Sequence, residues 1–158
     1  PAEVVYDAVK QATAATDKLQ VVRSNLQRRA TGFLSMRMAG TYAMNVFGKP
    51  SRSLNCDCER ASEPSLLQAV FLHNDPLVRM RLAESGWLEE IETTRSGQTA
   101  KDRTRLIRTA WLRTVGRPPA AAEISRAQQH LATAESVTEG IRDLLWALIN
   151  TKEFVLNH

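Results

Sequence analysis

Three features of this 158-residue sequence point to an all-α protein. Apolar residues recur at helical spacing along most of it, and no stretch of strand length combines strict apolar/polar alternation with β-branched enrichment. Residues that start and stop helices bracket those apolar stripes. The expected architecture is an irregular, loop-rich first third over residues 1–62, followed by an antiparallel helical bundle over residues 63–158, the whole forming a single domain. With 43% hydrophobic residues, a chain of this size buries about 70% of its unfolded surface, so folding needs neither disulfides nor a metal. No apolar run approaches the roughly 20 residues that cross a bilayer, and no amino-terminal stretch has the layout of a signal peptide. The chain opens on Pro1 without an initiator Met, which raises the expectation that it is a piece of a longer polypeptide.

Val5, Ala8, Val9 and Ala12 share one side of an opening helix from about Glu3 to Ala14. Gly32, Gly40, Gly48 and Pro50 interrupt the stretch up to residue 62; Leu19 to Val22 reads as a short extended piece and Met36 to Phe47 as a helix. At Glu63-Pro64 a helix begins, because proline suits the first helical turn and pushes its predecessor out of the α region. Asp75-Pro76 repeats the device, with Asp75 as N-cap, and that helix is expected to run to about Ser85 and stop at Gly86. Trp87, Leu88 and Ile91 then form a short amphipathic turn.

Thr99 and Asp102 resemble a capping box for a helix that buries Leu106, Ile107, Ala110 and Trp111. Gly116-Arg117-Pro118-Pro119 ends it. Ala120 to Ala134 carries Ile124, Ala127, Leu131 and Ala134 on one face. Ser136 and Glu139 form a second capping box, opening a helix that buries Val137, Ile141, Leu144, Leu145 and Leu148. Trp146 and Ile149 lie off that stripe, so this helix is expected to be covered on two sides. Short connections between residues 116 and 136 imply antiparallel neighbours.

The formal net charge is +4. Residues 1–60 hold 9 basic and 5 acidic groups against 12 of each in residues 61–158, so the excess lies in the first part. The densest basic stretch is nevertheless Lys101 to Arg117, with Lys101, Arg105 and Arg108 on one helical face. A solvated face neutralised by Glu89, Glu90 and Glu92 is the preferred reading. Nucleic-acid binding through the basic helix 101–117 is an alternative, disfavoured because no aromatic residue interleaves on that face.

The most distinctive block is Cys56-Asp57-Cys58-Glu59-Arg60 followed by Glu63-Pro64. As a metal site it would supply two thiolates, with His73 the nearest further ligand, but structural zinc usually shows wider cysteine pairs twice over. As a redox pair, Cys56 and Cys58 would close a small, strained ring. The preferred reading is structural: the helix start at Glu63 welcomes negative charge, and Arg52 and Arg60 are placed in sequence to hold Glu59 and Glu63 bidentately. No metal site and no catalytic residue is assigned, and no cofactor is expected within the chain, which lacks a C-x-x-C-H haem signature. His73-Asn74-Asp75 reads as structure, because adjacent helical residues do not face each other. His130 and His158 read as surface groups without partners. Nucleotide, hydrolase and zinc-protease motifs are absent. Trp87, Trp111 and Trp146 read as core.

The string Phe47-Gly48-Lys49-Pro50-x-Arg52, then Cys56-x-Cys58-Glu59-Arg60-x-Ser62-Glu63-Pro64-Ser65-Leu66-x-Gln68-Ala69, resembles the central signature of a planctomycete-specific domain of unknown function. So does the ending from Leu144 to His158, and Arg117-Pro118-x-x-x-x-Glu123 is similar to the turn between that family's late helices. The resemblance implies the carboxyl end of a large exported protein, with a cytochrome c-like domain, and so haem, upstream. It carries over no catalytic residue. An exported, periplasmic setting would place Cys56 and Cys58 where disulfides persist. The leading expectation is therefore a non-catalytic interaction module whose partners are upstream domains of its own polypeptide or another protein. The alternative is a contribution by Cys56, Cys58, Glu59 and Glu63 to a redox or polysaccharide-degrading site beside that haem.

Overall fold

The computed structural model describes residues 2–19 and 76–157. No strand occurs among them; residues 16–19 are helical, and seven helices have both ends described: α1 Ala2–Thr13, α2 Pro76–Ala83, α3 Gly86–Thr93, α4 Ala100–Thr114, α5 Ala121–Thr133, α6 Val137–Ile149 and α7 Lys152–Asn157. The all-α expectation holds. The readings placed on Arg52, Cys56, Cys58, Glu59, Arg60, Glu63, His73, Asp75 and His158, and on the helices from Met36 and Pro64, lie outside the described residues.

Helices α4 and α6 form the centre. They pack against each other, α5 leans on both, α1 lies on α4, α2 and α3, and α7 folds back on α6. The side chains that meet there include ones the helical spacing selected: Ile107, Ile141 and Leu145 are completely buried, as are Ile149 and Phe154. Two pairings fix the run of α4 and α5. Thr104 accepts from Gln128, and Trp111 reaches Glu123, so one helix ascends as the other descends. His130 beside Asp143 and Leu131 beside Gly140 do the same for α5 and α6.

The helix starts are local chemistry. Thr99 Oγ1 accepts from the Asp102 amide at 3.1 Å and donates to its carboxylate at 2.7 Å. Ser136 Oγ accepts from the Glu139 amide at 3.1 Å, but the Glu139 carboxylate turns to Arg142, so the expected box is only half made. Gly116, at φ 75°, takes the left-handed turn that ends α4, a conformation glycine adopts without steric cost.

Three expectations are corrected. Gly86 does not stop α2, which already ends at Ala83; Ser85 caps a separate eight-residue helix, α3, by accepting from Leu88 N at 3.3 Å. Leu19 is helical rather than extended, because its amide and that of Lys18 both donate to Ala15 O; the rest of the piece expected from Leu19 to Val22 lies outside the described residues. Trp146 is 38% exposed rather than core, although its neighbour off the stripe, Ile149, is buried. The chain also breaks after α6: the Thr151 hydroxyl donates to Leu148 O at 2.7 Å and accepts from Phe154 N at 3.2 Å, starting α7 afresh.

Candidate functional site

Arg117 stands immediately after the Gly116 turn, in the link between α4 and α5. Its Nε and Nη2 donate to the two Glu153 oxygens at 2.6 and 2.9 Å, and its Nη2 and Nη1 to those of Glu123 at 2.8 and 2.9 Å. Nη1 also reaches Pro118 O at 3.1 Å. A guanidinium has five N–H donors in a fixed fork, and here all of them are engaged. Three elements are thereby held at one point: the link itself, the first turn of α5 and the start of α7.

Glu123 occupies this place because the N-cap of α5 is Ala120, which has no side-chain acceptor for the first amides. The Glu123 carboxylate reaches back to Ala120 N at 2.6 Å, the acidic half of a capping box, and the Trp111 indole also bonds to it. Its pKa is lowered to about 2, first by the Arg117 hydrogen bonds and then by the Ala120 amide. Glu153 is lowered too, again chiefly by Arg117. The same two carboxylates, Glu123 foremost, hold the Arg117 guanidinium firmly protonated.

Beside this clasp lies a largely apolar groove of about 620 Å³ between α5 and α6, lined by Trp111, Ala127, Leu144, Ala147 and Leu148 and flanked by Trp146. His130 Nε2 stands 3.2 Å from Asp143 Oδ2 across the same pair of helices. His130 therefore has a partner, contrary to expectation.

A second fastening joins the end of α1 to α3 and α4. Ser85 Oγ donates to Thr13 O at 2.8 Å, and Glu90 accepts from Thr16 N at 2.9 Å and from Thr16 Oγ1 at 2.8 Å. Arg113 donates to Ala14 O at 2.6 Å and to Thr16 Oγ1 at 3.0 Å, while its guanidinium lies over Trp87, 4.4 Å from the ring centroid. Such a cation–π contact adds about 0.5–1 kcal/mol at an exposed site.

These contacts revise the basic stretch. Lys101, Arg105 and Arg108 are exposed as expected, but the acid on Arg105 is Asp102, at 3.2 Å, rather than an upstream glutamate. Glu90 is committed to Thr16, and Arg103 is turned to Gly97 O at 2.9 Å. The stretch is thus divided between a solvated face and three arginines that hold loops. Among the described residues no group of three His, Cys, Asp or Glu side chains could hold a metal ion, and no helix is long and apolar enough to cross a membrane.

The contacts that join separate parts of the chain mark a helical bundle domain fastened at two points by arginine forks. Residues 2–131 match the PSD1 family, described as "Protein of unknown function (DUF1553)", and the chain belongs to that family. No curated protein and no solved structure matches it. The family match takes in Arg117 and Glu123; Glu153, which completes the clasp, lies beyond it.

Sequence reading missed Arg117, Glu123 and Glu153 as a site, although all three stand in the strings that carry the family resemblance. The glutamate three residues after a helix start was a usable signal. The pairing with Glu153, 36 positions from Arg117, left none.

Proposed function

We propose that the chain is a non-catalytic structural module that docks onto a neighbouring domain of a large exported protein of planctomycete type, where a cytochrome c-like domain lies upstream. One observation carries the reading. Met80 on α2 and Trp146 on α6 are 43% and 38% exposed and line one cavity of about 850 Å³, with Arg79, Arg142 and Asp143 around them. Large apolar side chains ringed by charged ones, with Trp and Arg prominent, have the anatomy of an interface core and its rim. Family membership supports the setting, through the resemblance that links such domains to multidomain exported proteins.

Fluorescence quenching tests it. Trp87 and Trp111 are buried, so acrylamide quenching reports chiefly on Trp146. The isolated chain should be quenched readily, and the natural polypeptide with its upstream domains should protect the same indole by several-fold. Equal quenching in both, with Trp146→Phe used to assign the signal, would remove the proposal.

A further inference from the structure

We infer that α7 is a strap that opens and closes at one end of the α5–α6 groove while the other helices stay packed, and that Arg117 is its latch. The inference rests on the clasp and is independent of the docking reading. A helix of six residues is far too short to persist alone in water, so α7 is helical because it is held. Among the described residues its packing centres on one side chain: Phe154 is wholly buried and Val155 packs partly against the core, whereas Leu156 is 78% exposed. Among the described residues, the Thr151 hydroxyl and the Glu153 carboxylate are further anchors.

The latch can release without stranding a charge. Glu153 is already 37% exposed and passes to water, while Arg117 keeps both oxygens of Glu123 at 2.8 and 2.9 Å. Opening therefore costs a partly exposed ion pair and the withdrawal of one aromatic ring, with no buried cation left behind. It also changes the groove. Thr151 and Glu153 belong to its lining, so a released α7 leaves that end open and adds the vacated Phe154 site to the apolar floor.

Native-state amide hydrogen exchange on the whole chain decides it. The amides of Phe154 and Val155 should exchange at least tenfold faster than those at the middle of α4 and α6, as a locally opening unit does. Glu153→Gln, which keeps the shape of the side chain, should speed the α7 amides a further two- to five-fold, the range of one exposed ion pair, and leave α4 and α6 unchanged. Exchange of α7 at the rate of α6 would overturn the proposal. So would a Glu153→Gln effect spread evenly over all helices, or none at α7.

Discussion

Gly86 offers a test in which two physical effects predict opposite signs. It is the first residue of α3, and by helix propensity alone Gly86→Ala would stabilise the protein by up to about 1 kcal/mol. Packing opposes this. A Cβ built at position 86 would stand 2.9 Å from Ala15 Cβ and 3.1 Å from Ala15 N, neither of which can swing aside as the tip of a long side chain could. Forcing a methyl into such a contact costs about 1–3 kcal/mol. The strain would also fall on the Thr16–Glu90 and Ala14–Arg113 hydrogen bonds, which hold the same short segment. We expect a net loss of about 1–2 kcal/mol, because a first-turn position gains less than a helix interior; at about 2–4 °C per kcal/mol for a chain of this size the melting temperature falls by roughly 2–8 °C. Urea unfolding followed by circular dichroism and by Trp emission measures it. Adding Ala15→Gly removes the nearest atom, so the double mutant should recover about 1 kcal/mol relative to the sum of the singles. A Gly86→Ala variant as stable as the parent, or more so, would show that Ala15 and the start of α3 do not meet this closely.

Acid should loosen the clasp in a defined window. The Glu123 carboxyl is lowered in the folded protein from its ordinary 4.5 to about 2, so its contribution to stability is complete above about 4.5 and is lost as the pH falls from there through about 2. Glu123→Gln should flatten that limb of a plot of urea midpoint against pH while changing little of its shape above pH 6. At the start of α6, Ser136→Ala removes the side-chain acceptor that caps the Glu139 amide and should cost about 1 kcal/mol by the same unfolding measurement.

The helices were legible where their determinants are local. For α4 the Thr99–Asp102 cap, the stripe of Leu106, Ile107, Ala110 and Trp111, and the Gly116 stop lie within one short window, and all three are realised. The predicted spans of α1 and α5 agree with the observed Ala2–Thr13 and Ala121–Thr133 to within a residue at each end. Gly86 was misread because a glycine beside a helix end can mean a stop or a close approach, and only Ala15, far away in sequence, decides between them. Trp146 was misread for a related reason. Hydrophobicity says that an indole is comfortable in a core, whereas its exposure depends on which neighbours α6 meets on that side. The break before α7 had a local signal, a threonine that can cap within the polar stretch Asn150-Thr151-Lys152-Glu153.

The clasp shows the same division between local and distant information. An arginine fork holding a carboxylate at a proline-led helix start was sought at Arg52, Arg60, Glu59 and Glu63, outside the described residues; the same logic applies at Pro119-Ala120, where it went unused. A helix start leaves amides without partners, a nearby glutamate satisfies one of them, and an arginine then neutralises that glutamate. Glu123 and Arg117 complete this chain of need within six residues, so it was derivable from sequence. Glu153 was not, because an Arg fork with two donors to spare can be filled by any carboxylate that the fold delivers. Once it arrives, the five donors of Arg117 are all engaged and Glu123 accepts from Ala120 and Trp111 besides. A ligand entering the neighbouring groove would therefore meet a closed polar cluster beside an apolar floor, and movement of α7 would change what it meets at that end.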